Sequence, residues 1–172
     1  DNQVNLIQKA WFKYYNHQNL NLLIDELLSL RNRYDDVNNF MTFNIANALF
    51  LNRKYKLVID ELEKIDEPFS IGQNNYTPYK YIIAIAQKFL GMKVESELSF
   101  KIAAELLEKE LLKNPRDIRI SSDLAMVYAY LNRKEDALRM IESAMSEVPI
   151  EKDYTDHGDY FNKEIEINLV LG

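Results

Sequence analysis

Four side chains able to bind a metal crowd into the stretch DYTDHGDYF: Asp153, Asp156, His157 and Asp159. Oxygen and imidazole ligands at that density suit a divalent cation. The spacing lacks the alternating ligands, central Gly and closing Glu of an EF-hand loop. The plainer alternative is a solvated link in which Asp156 or Asp159 caps a following helix. Other chemistry is poorly served. The only two histidines, His17 and His157, have no Ser or Asp at a diagnostic spacing, so a nucleophilic triad is not expected. Cysteine is absent, which removes thiol nucleophiles, thiolate metal sites and disulfides. Gly72, Gly91, Gly158 and Gly172 are too scattered for a phosphate-cradling loop. Glu and Lys runs such as DELEKID and ELLEKELLK fit exposed helix faces with i,i+4 pairing, not a perturbed carboxylate pair. The expectation is a protein that is not an enzyme, with no cofactor and no metal.

Composition narrows the partners. The chain has 172 residues, 47% hydrophobic and 28% charged, with a net charge of −6. These values describe a globular domain and disfavour nucleic acid and anionic membrane surfaces, which both require concentrated Lys and Arg. The longest apolar run, YIIAIA, ends at Gln87 and Lys88, far short of a bilayer span. The N-terminus, DNQVNLIQKAWF, has neither Met nor a signal-peptide layout. A processed or truncated chain that has lost a targeting or partner domain is expected, with a cytoplasmic location.

Only four Gly and four Pro interrupt the chain, and apolar residues recur at intervals of three and four, as in Leu22, Leu23, Leu27 and Leu30. This pattern predicts helices joined by short turns. Pro115 and Pro149 lie 34 residues apart. Between them stand Ser121-x2-Leu124-Ala125-x2-Tyr128 and then Ala137-x3-Ile141-x2-Ala144. The same grid falls on Ile7, Ala10, Trp11 and Tyr14 with Leu23, Leu27 and Leu30. It falls again on Thr42, Ile45, Ala46 and Leu49 with Val58, Leu62 and Ile65. A further copy uses Lys80, Ile83, Ala84 and Gln87 with Ser96, Phe100 and Ala103. The central markers Trp11, Ala46, Ala84 and Ala125 step by 35, 38 and 41 residues. Trp11 stands where a small residue is expected. The extra length falls in the link DEPFSIGQNNYTP, with Thr77-Pro78 read as a helix start, and in SFKIAAELLEKELLKNP, read as an uninterrupted helix. LNRK occurs at 51–54 and 131–134, where Asn52 and Asn132 are expected to take the left-handed turn after a first helix.

The 34-residue unit resembles the tetratricopeptide repeat, with Ser121 for its Trp and Ala125 for its Gly. The predicted fold is all-α: a right-handed α-α superhelix of about four helix pairs and a terminal helix. The units are 4–37, 39–70, 77–115, 118–149 and a final helix over 159–172, together one repeat domain. The stretch Asn114–Asp153 is similar to C-terminal repeat segments of bacterial regulators that also carry TolB-like or adenylate-cyclase-type modules.

The resemblance implies a non-catalytic scaffold whose first helices line a concave, partner-binding groove. The grid places on that face Gln8, Phe12 and Tyr15; Phe43, Asn44, Asn47 and Phe50; Tyr81, Ile85, Lys88 and Phe89; and Arg119, Asp123, Met126 and Tyr130. Aromatic anchors and amide groups suit a protein segment or peptide, although aromatics at helical spacing also fill cores. Asn44, Asn47, Lys88 and Arg119 supply residue types for a carboxylate clamp, but Phe43 and Met126 stand where further polar groups would help. The alternatives are a sensory or regulatory domain of a larger protein, with a small ligand under the 67–77 link, and self-association through exposed array ends.

Overall fold

The computed structural model describes residues 3–36, 39–72, 75–147 and 154–172, with backbone alone for 154–157. Among these residues the elements, in order, are α1 (Gln3–His17), α2 (Leu20–Arg31), α3 (Phe40–Leu51), α4 (Tyr55–Leu62), β1 (Phe69–Ile71), β2 (Tyr76–Pro78), α5 (Tyr79–Phe89), α6 (Lys93–Lys113), α7 (Ile118–Tyr130), α8 (Lys134–Glu147) and α9 (Tyr154–Leu171). Among the described residues the regular structure is helical apart from one short antiparallel hairpin. Two compact units are present: residues 1–67 with 85–92, and residues 68–84 with 93–172.

Polar side chains start several helices. Asn19 accepts the Leu22 amide at 3.0 Å, and Asp117 accepts that of Arg119 at 3.1 Å. Asp36 accepts the amides of Met41 and Thr42 at 2.7 and 2.9 Å, satisfying two orphan donors of α3. The seven-residue excess expected in the third unit is found inside α6, which runs 21 residues without a break.

First helices end by one rule. Gln18, Arg53, Gly91 and Asn132 all have left-handed backbones, with φ of 51°, 56°, 76° and 58°. The pairs Trp11/Gln18, Ala46/Arg53, Ala84/Gly91 and Ala125/Asn132 are each seven residues apart. In the last three, the residue after the left-handed one donates to the carbonyl five residues back. These bonds are Lys54 to Leu49 at 2.9 Å, Met92 to Gln87 at 3.0 Å and Arg133 to Tyr128 at 2.9 Å. Each is the outer bond of a Schellman ending. The turn is therefore counted from the core marker. In the first LNRK copy the left-handed residue is Arg53, not the expected Asn52, because the two copies lie one place apart on that count. Outside the series, Asn39 is also left-handed, before α3.

Most grid residues are buried in the core, while Trp11, Tyr14, Ile65, Lys80 and Ser121 are half-buried. Ile7, Ala10, Ile45, Ala46, Ile83, Ala84, Leu124 and Ala125 of the first helices are buried, as are Leu23, Leu27, Val58, Leu62, Phe100, Ala103, Ala137, Ile141 and Ala144 of the second. Small residues at the crossings let backbones approach. Ser96, in the position held by Ala137 in the last pair, donates to the Ala84 carbonyl at 2.8 Å.

In the first unit α1, α2, α3 and α4 pack in sequence. In the second, α7 packs on α6 and α8, and α9 lies against both α7 and α8. The link expected to be irregular contains the β1–β2 hairpin, paired Phe69 to Pro78, Ser70 to Thr77 and Ile71 to Tyr76. Thr77 and Pro78 thus close a strand directly before α5. Helix α9 begins at Tyr154, five residues ahead of the expected start. No helix among the described residues is long and apolar enough to cross a membrane.

Candidate binding site

In the first unit, helices α1 and α3 build an open cleft of about 380 Å³ lined by Trp11, Tyr15, Asn44, Asn47, Phe50 and Leu51. Trp11 and Tyr15 are four residues apart and so share one side of α1. The Trp11 indole N–H donates to Asn44 Oδ1 at 2.7 Å, and Asn44 Nδ2 donates to the Phe40 carbonyl at 2.8 Å. Buried Asn44 therefore fixes the indole ring by spending both ends of its amide. Trp11, Tyr14 and Tyr15 pack edge to face or tilted, with centroids 5.6 to 6.2 Å apart. Tyr15 is 69% exposed and Leu51 is 51% exposed. Beyond Phe50 a second ring cluster follows. Tyr55 and Phe89 stack at 4.7 Å, and Phe50 meets both edge-on at 5.5 and 6.1 Å. The result is an aromatic surface with a fixed indole and the Asn47 amide beside it.

The other first-unit residues of the expected groove are distributed differently. Phe12 and Gln8 are exposed, and Phe12 lines a separate cleft with Lys9, Lys13 and Tyr34 rather than joining Tyr15. One residue is a 100° step around a helix, which carries Phe12 off the Trp11–Tyr15 side. Phe43 and Ile85 are half-buried, and Lys88 and Phe89 are exposed.

In the second unit the equivalent face of α7 is occupied by the chain itself. Asp123 is 7% exposed. It accepts the Tyr76 amide at 2.9 Å, the Thr77 hydroxyl at 2.7 Å and the Lys163 ammonium at 2.5 Å. Lys163 also donates to Ser122 Oγ at 2.9 Å. Arg119 reaches the Gly72 carbonyl at 2.9 Å through one guanidinium nitrogen, while Nε and the other hold both oxygens of Asp117 at 3.0 and 2.6 Å. That bidentate pairing with Arg119 lowers the Asp117 carboxyl from its ordinary value. A Cβ on Gly72 would lie 2.2 Å from Asn75 Oδ1, so only glycine fits this end of the hairpin without a shift. The hairpin backbone is thus gripped at an N–H and at a C=O by two residues of one helix.

Tyr81 and Tyr130 close an aromatic group with Phe100, which stacks on Tyr130 at 4.8 Å and tilts against Tyr81 at 6.0 Å. Burial, followed by the neighbouring Tyr130 and Asp123, pushes the Tyr81 phenol well above its ordinary range. Burial and Glu166 also raise that of Tyr130. Both stay neutral phenols at physiological pH. Met126 is buried.

Sequence reasoning treated Trp11 as a misfit at a packing position, whereas it forms a wall of the cleft. An indole N–H paired with an Asn on the next first helix gives little local signal, because the pair lies 33 residues apart. Tyr55, Leu51 and Lys163 were likewise not singled out. Of the Asp153, Asp156, His157 and Asp159 cluster, only the Asp159 side chain is among those described, exposed on α9. Among the described residues no three His, Asp or Glu side chains converge as metal ligands. Pro149 also lies outside the described residues.

The chain matches no protein-family model, no curated protein and no solved structure.

Proposed function

We propose that the chain is a tetratricopeptide-like helical-repeat scaffold without catalytic activity, which binds an extended segment of another protein on its first helices. The external segment sits in the α1–α3 cleft, against Trp11, Tyr15, Phe50 and Leu51, with Asn47 bonding its backbone. One observation carries this reading. On α7, Asp123 and Arg119 already hold extended backbone of the hairpin through its Tyr76 N–H and Gly72 C=O. Asn44 stands at the same step before its core marker as Asp123, two residues ahead of Ala46 and Ala125 respectively. The α3 face therefore offers a comparable surface, but with exposed rings in place of a bound strand. Exposed aromatics with a preset indole are the anchors that peptide interfaces use.

The test is selection from a displayed library of random extended peptides. Enriched peptides should lose binding to Tyr15→Ala and Leu51→Ala variants that keep wild-type helicity by circular dichroism. Peptides that bind those variants as well as the wild type would place the site elsewhere.

A further inference from the structure

A second cleft, of about 340 Å³, lies on the other side of α1 and on α2. Its apolar lining includes Phe12, Leu30 and Tyr34, with Phe12 68% exposed. Lys9, Lys13 and Arg33 line it too, against one carboxylate, Glu26, which Lys13 pairs at 2.6 Å. Among its lining residues three are cationic and one anionic, on a chain of net charge −6.

The same chain carries a surface of the opposite sense. On α9, Phe161, Ile165 and Leu169 are spaced four apart and exposed by 48%, 44% and 77%. They form one stripe on the helix, while Tyr160 and Ile167 turn inward and are buried. Glu164 flanks the stripe on one side and Glu166 on the other, by the 100° step of the helix. The one lysine of this helix, Lys163, is held by Asp123 and Ser122 on the buried side. An apolar stripe edged with glutamates and an apolar cleft edged with lysines and arginine are complementary in both shape class and charge.

We propose that two copies of this chain associate head to tail, the α9 stripe of one copy lying in the α1–α2 cleft of another. The contact is a helix-in-groove interaction with Phe161, Ile165 and Leu169 as anchors. Because the two surfaces differ, the association is heterologous and extends beyond a dimer as concentration rises. With three anchors and a modest cleft it is weak and reversible. It uses neither Trp11 nor Tyr15, so it stands independently of the proposed peptide site.

Sedimentation velocity of the whole chain tests this, in about 50 mM and about 500 mM salt, where the screening length falls severalfold. The average mass should rise above 20.3 kDa with concentration, and association should weaken by roughly tenfold or more at high salt. A cleft variant, Lys13→Glu with Arg33→Glu, should remain a monomer, as should a stripe variant, Glu164→Lys with Glu166→Lys. Both should keep wild-type helicity, since Lys13, Arg33 and Glu166 are exposed and Glu164 is half-buried at the edge of the stripe. Mixing the two variants restores complementary pairs and should restore association. A constant monomer mass for the wild type would overturn the proposal. So would association that persists in either variant alone, or a mixture that stays monomeric.

Discussion

Replacing Asp123 with Ala removes the acceptor shared by the hairpin and α9. Three bonds go at once: Tyr76 N–H at 2.9 Å, the Thr77 hydroxyl at 2.7 Å and Lys163 at 2.5 Å. Breaking a buried ion pair from one side costs about 3–5 kcal/mol, because the other charge is left uncompensated. Lys163 moderates the loss, since its side chain is 19% exposed and keeps the Ser122 hydroxyl. The low end, about 3 kcal/mol, is therefore expected. In a chain of this size that shifts Tm downward by roughly 6–12 °C. Urea titration followed at 222 nm should show the midpoint falling with an unchanged slope. Amide exchange should show where the loss acts: Tyr76 should exchange at least about tenfold faster, each tenfold step corresponding to about 1.4 kcal/mol of opening energy. Adding Lys163→Met to Asp123→Ala should recover part of the stability, since the orphaned charge goes with it. A loss below about 1 kcal/mol, or no recovery in the double variant, would refute the view that Asp123 clips hairpin and helix to α7.

Other expectations concern the turns, one phenol and the indole. Arg53→Gly should stabilise the chain by about 0.5–1 kcal/mol, since Gly adopts φ of 56° without strain, and Gly91→Ala should cost about 1 kcal/mol although its Cβ would meet open space; equal effects of the two in chemical denaturation would contradict the common turn geometry. Tyr128 is raised to about 12 by burial and by its hydrogen bond to Glu108. Its folded value exceeds the unfolded value of about 10, so its contribution of roughly 2 kcal/mol is complete below pH 10 and lost between pH 10 and 12. Tyr128→Phe should flatten that part of the stability profile, while an unchanged profile would dismiss the assignment. Asn44→Ala leaves the Trp11 N–H without its acceptor and should cost about 1–2 kcal/mol. Trp11 is the only tryptophan of the chain, so a red shift of emission would report its release directly, and unchanged emission would show that Asn44 does not hold it.

The helices were legible because small and apolar residues recur at fixed intervals. Ala46, Ala84 and Ala125 marked buried helix positions in advance, while the stop seven residues after each of them became visible only in the structure. The letters of the turns were a poorer guide. Arg53 takes the left-handed position although Asn52 is beside it, since the helix must end where packing of Ala46 dictates. The hairpin escaped notice because its strands are three residues long and one ends in proline, too short for an alternating pattern. Within the site, first-helix periodicity brought Tyr15, Asn47 and Phe50 to one cleft. It could not separate Phe12 from them, nor foresee that Asp123 and Arg119 would be satisfied by the chain's own hairpin, 47 residues distant.

The central claim is that an extended protein segment docks in the α1–α3 cleft. Titrating the nitrogen-15-labelled chain with a library-selected peptide and following its amide and indole resonances tests this most directly. The account predicts saturable shifts at the Trp11 indole N–H, the Asn47 side-chain amide and the backbone of Tyr15 and Leu51, with the hairpin amide of Tyr76 unmoved. Shifts confined to α7 and the hairpin, or to the Phe12 side of α1, would contradict it.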